Sequence, residues 1–284
     1  MPVYFSTGGY KNSNTINVVE DLIANGLNYI ELSGTSYVPD NIKKLTEFKS
    51  SARFQIHNYF PPPKNPFVIN LASMNQEIYK KSLDHIFNAI ESCEKINSSH
   101  YSFHAGFLCD IDVSEIGKSV KKKLLQNKED STSLFIDRLK LVSDKAKKHN
   151  INIMLENNVL SKKNLEIFGK NPLLMCDVND SLDIINNTPD NIKLLVDVAH
   201  LKVSANSLNF KCEDFFSKCE NLIAGYHLSD NDGLSDSNST YDENAWFWKY
   251  LNKNLDYYSI EVYNLDFEQI SRLYSLTKKK LNIL

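Results

Sequence analysis

Glycine is scarce, with nine residues in 284 and neither a G-x-G-x-x-G nor a G-x-x-x-x-G-K segment, so the usual cradle for a nucleotide phosphate is lacking. Cys93, Cys109, Cys176, Cys212 and Cys219 are odd in number and include no Cys-x-x-Cys pair. That pattern argues against a disulfide framework or a cysteine zinc knuckle and for reduced thiols. Charge of one sign is missing too: 32 Lys and Arg stand against 35 Asp and Glu, a net charge of −3, so the whole molecule offers no cationic surface to a polyanion. Arginine is confined to Arg53, Arg138 and Arg272. No uninterrupted apolar stretch approaches membrane-spanning length, and the opening MPVYFSTGGYKN has no basic segment followed by an apolar run. The expectation is a cytoplasmic protein with no cleaved signal and no membrane partner.

What is present is a βα rhythm. Short apolar, β-branched or aromatic runs recur near Val3 to Ser6, Asn28 to Leu32, Arg53 to His57, Tyr101 to His104, Asn152 to Glu156, Lys193 to Asp197, Ala224 to Leu228 and Tyr258 to Val262. Helix-spaced segments lie between them: Thr15 to Asn25, Asp40 to Lys49, Asn75 to Ile96, Ser131 to His149, Asn179 to Asn187, Leu208 to Cys219, Glu243 to Leu251 and Phe267 to Lys280. Asp40, Ser131 and Asp266 read as N-caps. Eight alternating units without a break in composition predict a single (β/α)8 TIM barrel over residues 1–284 rather than an open doubly wound sheet. The length suits a fold that runs to about 250 residues before insertions. The lysine runs 121–123 and 278–280 read as solvated helix faces.

In such a barrel the site is built at the C-terminal strand ends, so the residue closing each apolar run is the one to inspect. FQIHN ends at His57, YSFHAG at His104, MLENN at Glu156, LVDVAH at Asp197 with His200 three further on, YHLSDNDG at His227 and SIEV at Glu261. A single histidine in an apolar run is ordinarily a hydrogen-bonded core residue. Carboxylates in central strands are harder to dismiss, because burying one unpaired costs several kcal/mol. Convergence of six strand ends therefore predicts a divalent ion held by Glu156, Asp197, His227 and Glu261. Carboxylate and imidazole donors without thiolate suit Mn2+, Zn2+ or Co2+. His200 is expected beside this set, touching a ligand or the substrate, with His57 and His104 as substrate hydrogen-bonders or ligands of a second ion.

At these residues, together with IELS near the start, IHNYFPPPKNPFVINLAS, FHAGF, LENN, DVAH, HLSDND and IEV, the chain resembles the xylose isomerase-like TIM-barrel superfamily. That superfamily holds sugar and sugar phosphate isomerases and epimerases and is related to endonuclease IV. The resemblance implies one of two activities. In the epimerase branch, residues matching Glu156, Asp197, His227 and Glu261 hold one ion, and Glu156 and Glu261 move a proton through a metal-stabilised enediolate. His57, His104, His200, Lys202 and Trp246 would then bind the sugar, with Tyr59, Phe60 and Trp248 helping to exclude water. The nuclease branch, a zinc phosphodiesterase acting on abasic DNA, adds an Asp-x-His from the loop after the seventh strand. The nearest match here is Asp242-Glu243-Asn244. The epimerase arginine that follows the seventh-strand histidine is also absent, and the stretch instead carries Asp230, Asp232, Asp236, Asp242 and Glu243. With the arginines away from the rim a DNA duplex is disfavoured as partner, while Lys11, Lys64, Lys162 and Lys202 could hold one phosphate. The expected partner is a small sugar, a homo-oligomer being compatible with the resemblance. A third alternative is a non-catalytic, metal-dependent carbohydrate-binding barrel.

Overall fold

The computed structural model describes residues 2–10, 12–115, 118 and 120–283. Eight parallel strands close on themselves in chain order. They are β1 (Val3–Ser6), β2 (Tyr29–Leu32), β3 (Arg53–His57), β4 (His100–His104), β5 (Asn152–Glu156), β6 (Ile192–Asp197), β7 (Ile223–Leu228) and β8 (Tyr258–Ile260). Pairing of Val3 with Tyr258 and Phe5 with Ile260 joins β1 to β8, leaving no open edge. The protein is a single (β/α)8 TIM barrel, as the alternating pattern predicts.

The helices are α1 (Thr15–Ala24), α2 (Asn41–Leu45), α3 (Gln76–Lys95), α4 (Lys128–Lys148), α5 (Lys162–Phe168), α6 (Val178–Asn186), α7 (Val198–Leu208), α8 (Cys212–Cys219) and α9 (Phe267–Lys280). Asp266 caps α9 through a capping box with Gln269. The other expected caps differ. Asp40 has a left-handed backbone with φ of 56° and makes no side-chain cap bond. Ser131 lies inside α4, which starts one turn earlier because Asn127 accepts from the Asp130 amide. The helix expected over Glu243 to Leu251 reduces to a 3-10 turn at Trp248–Tyr250, and there the apolar residues Ala245 to Trp248 are consecutive rather than helically spaced.

Strand periodicity sorts the interior. Residues facing outward, such as Ile153, Leu155, Leu194, Val196, Tyr226 and Leu228, pack with the helices in the main core. The alternate residues point inward. Tyr4, Met154, Leu195 and Tyr257 form a separate cluster that closes the barrel floor, with the Tyr4 and Tyr257 rings stacked at 5.3 Å. Gly225 makes room for this floor, since a Cβ there would sit 2.9 Å from the Tyr257 Cβ.

Candidate metal centre and active site

Two residues beyond each floor position the same strand face reaches the rim: Met154 leads to Glu156, Leu195 to Asp197 and Gly225 to His227. The same step from Gln55 reaches His57, and that from Ser259 reaches Glu261. One ligand atom from each of Glu156, Asp197, His227 and Glu261 lies within 4.8 Å of the other three, and all four residues are buried. His227 Nδ1 stands 3.2 Å from Glu156 Oε1 and 3.0 Å from Glu261 Oε2. The other Glu156 oxygen, Oε2, faces His57 Nε2 and His104 Nδ1, each at 3.3 Å, and those three residues form a second potential ligand group.

Local structure aims these groups. Asp197 ends β6 and is also the N-cap of α7, its Oδ1 accepting from the His200 amide at 2.8 Å. That leaves Oδ2 buried without a hydrogen-bond partner, as is Glu156 Oε2. Asn157, next after β5, accepts from the Asp197 amide at 2.8 Å, and its carbonyl takes His200 Nδ1 at 3.0 Å. Tyr263 donates to Glu261 Oε1 at 2.9 Å, and a Cβ on Gly8 would fall 2.9 Å from the same oxygen, so the first loop presses backbone against this carboxylate.

The electrostatics are those of an anionic pocket compensated by imidazoles. Burial would raise the Glu156 carboxyl, yet His104, His227 and His57 hold it well below the ordinary carboxylate range. Burial opposes the charge on His227, but Glu31 and Glu156 raise it well above its usual value. Asp197 goes the other way: burial, only partly offset by His200, and repulsion from Glu156, Asp236 and Glu261 push it up to about 7. Three buried carboxylates with two orphaned oxygens, around one imidazole nitrogen, match the donor set of a divalent cation.

His57, His104 and His200 all reach Glu156, at 3.3, 3.3 and 3.5 Å. Lys202 and Trp246 are not brought into this cluster. The Lys202 ammonium pairs with Asp230 at 2.7 Å and donates to the Asn231 carbonyl. The Trp246 ring packs against Phe216, Phe247 and Tyr250. Phe60 and Trp248 belong to the main core and Tyr59 packs against it. Lys64 and Lys162 are exposed, and Lys11 lies outside the described residues.

Two site residues escape the strand-end argument. Glu31 on β2 is fully buried and accepts from Tyr257 and from His227 Nε2, the latter at 2.8 Å. The alternation that marks Tyr257 and Ser259 as inward-facing also marks Glu31, and the cost of burying a carboxylate applies to it as to Glu156. Asp236, rather than Asp242, is the loop carboxylate that turns to the rim: its Oδ2 lies 3.3 Å from His200 Nε2, while Asp242 Oδ1 accepts from the Asn244 amide within its own loop. An antiparallel bridge between Asp230 and Ser239 folds the loop back to make that contact, a pairing at long range from any local signal.

Comparison with known proteins agrees with this architecture. The family model for the xylose isomerase-like TIM barrel matches residues 19–257. An uncharacterized protein of Methanocaldococcus jannaschii, MJ1311, is 24% identical over 211 residues, 73% of this chain and 62% of that protein. A probable endonuclease 4 of Thermoplasma volcanium is 20% identical over 181 residues, 62% of this chain and 53% of that protein. The chain thus spans less than two thirds of the length of these curated relatives. Among solved structures, a D-tagatose 3-epimerase-like protein superimposes with a TM-score of 0.75 at 21% identity, covering 100% of this chain and 98% of the other.

Proposed function

The chain belongs to the xylose isomerase-like TIM-barrel family, and from that membership we propose a divalent-metal-dependent isomerase or epimerase acting on a sugar or sugar phosphate. The observation that carries the proposal is the buried convergence of Glu156, Asp197, His227 and Glu261, two of them glutamates from strands three apart around the ring. These four residues would hold the ion, which when bound supplies Lewis-acid polarisation of a substrate carbonyl and so acidifies the neighbouring C–H. Glu261, oriented by Tyr263, would take that proton; Glu156, protonated from solvent once the substrate is bound, would deliver a proton to the opposite face, or Glu261 would return its own to the adjacent carbon. The first outcome is epimerisation, the second aldose–ketose exchange. His57, His104 and His200 orient hydroxyl groups, and Asp236 holds His200 in place.

The fold likeness to a D-tagatose 3-epimerase-like protein supports a sugar substrate. A second reading, metal-dependent cleavage of abasic DNA, is favoured by the His57–His104–Glu156 group and by the relative described as probable endonuclease 4. Charge weighs against it. Arg138 is buried, Arg272 pairs with Glu268 on α9, and Arg53 opens β3 at the end remote from the rim. A DNA groove needs several cationic phosphate contacts near its centre.

The deciding experiment incubates Mn2+-, Co2+- or Zn2+-loaded protein with ketopentoses, ketohexoses and their phosphates in deuterated water. Deuterium is expected beside the carbonyl, and Glu261→Gln should reduce its incorporation by about 10²–10⁴-fold with the circular dichroism unchanged. Absence of exchange on every sugar, with metal-dependent nicking of an abasic duplex, would transfer the assignment to the nuclease reading.

A further inference from the structure

Glu31 lies beneath the four-residue cluster, and no step of the proposed chemistry uses it. Its Oε2 accepts two hydrogen bonds, from His227 Nε2 at 2.8 Å and from the Tyr257 hydroxyl. His227 is completely buried, and its second nitrogen, Nδ1, is the one that faces Glu156 and Glu261. Carboxylates face both nitrogens, so without an ion each carries an N–H; an ion at Nδ1 would displace the proton there and leave the remaining N–H on Nε2, where Glu31 accepts it.

We infer that Glu31 is a positioning residue that fixes His227 as the Nε2–H tautomer and turns Nδ1 to the metal cluster; this rests on the metal-dependent reading above. Glu31, His57 and His227 also lie close enough to share an ion of their own. Two features oppose that use. Glu31 Oε2 already accepts from the Tyr257 hydroxyl as well as from His227 Nε2, so the lone pairs of that oxygen are engaged. His227 would also have to offer lone pairs on both nitrogens, which needs the imidazolate. Tyr257 strengthens the arrangement: it comes from the floor cluster, whose backbone approaches Gly225 closely, so the acceptor is braced by rigid barrel interior. A carboxylate holding the far nitrogen of a ligating histidine is a recurrent metal-site device.

The test has two arms. In the first, ¹⁵N-histidine-labelled wild-type protein is titrated with Zn2+ and the two-bond ¹⁵N–¹H correlations of His227 are read. The proton is expected on Nε2 and the metal on Nδ1; the reverse pattern overturns the inference without any mutant. In the second, Co2+ affinity is measured by chelator competition for wild type, Glu31→Gln and Glu31→Leu. Affinity should fall about 10–100-fold in Glu31→Leu and less in Glu31→Gln, which keeps an acceptor oxygen. Equal affinity in wild type and Glu31→Leu overturns the inference alone, as does loss of a separately titrating second equivalent of Co2+, which would make Glu31 a ligand. Wild-type protein that binds no Co2+ overturns the proposed function itself.

Discussion

His85 shows how a single side chain can set a pH limit away from the candidate site. It is buried on α3 against the rings of Tyr59 and Phe67, and its Nε2 has no hydrogen-bond partner. Burial pushes its pKa down to about 4, from an ordinary 6.5. Between those values the unfolded chain binds a proton that the folded chain refuses. The stability contribution is therefore complete above pH 6.5 and is lost as pH falls through about 4. A shift of this size corresponds to about 3 kcal/mol at most. Urea denaturation across pH 4–7 should show wild type losing that much relative to His85→Phe, and parallel curves for the two proteins would reject the assignment. Glu31 teaches a second lesson at this scale. The burial argument that singles out Glu156 and Glu261 applies equally to it, but a residue one step below the rim is not the residue that closes its apolar run.

At the scale of elements, α4 holds the long connection after β3. Arg138 is buried there, donates to the carbonyls of Leu71 and Ser73 at 2.6 Å each, and lies 3.8 Å over the Tyr79 ring. Replacing it with Leu removes two charge-assisted bonds and leaves two carbonyls unpaired, at a cost of about 2–4 kcal/mol. Arg138→Leu is expected to lower the urea midpoint accordingly and to expose residues 58–75 to limited proteolysis. A variant as protease-resistant as wild type would show that the loop is held by other means. The strands are legible in the sequence because each apolar run is short and bounded by polar residues, and their ends fall within one or two positions of the reading. By contrast, α7 is hidden. Asp197 is both the last residue of β6 and the cap of the helix, so no turn residues separate the two, and the sequence reading assigns no helix between Asp197 and Leu208. The expected helix starting at Leu208 is in fact interrupted by Asn209, whose φ of 58° ends α7 before α8 begins.

For the whole molecule, the closed ring gathers side chains spread from Glu31 to Glu261 into one interior, and this gathering concentrates negative charge. Any ion that binds the folded form and not the unfolded chain stabilises it by mass action. At a free concentration 100 times its Kd, Co2+ or Zn2+ should add about 2.7 kcal/mol to the unfolding free energy. Chelator should reverse the gain, and Asp197→Asn together with Glu261→Gln should abolish it. A thermal denaturation series with and without Mn2+, Co2+ and Zn2+ checks this; no shift with any of them would remove the metal from the account. Convergence was legible in the sequence because the fold assigns all C-terminal strand ends to one mouth. The reach of Asp236 was not, since it depends on how the loop after β7 folds back on itself.

The stacked tyrosines and the side chains of Met154 and Leu195 give the cylinder a sealed base. Under the proposed function, ion, reactant and product would then all enter and leave at the rim. A molecule seated over such an ion would also cork it, and the ion would depart only after that molecule.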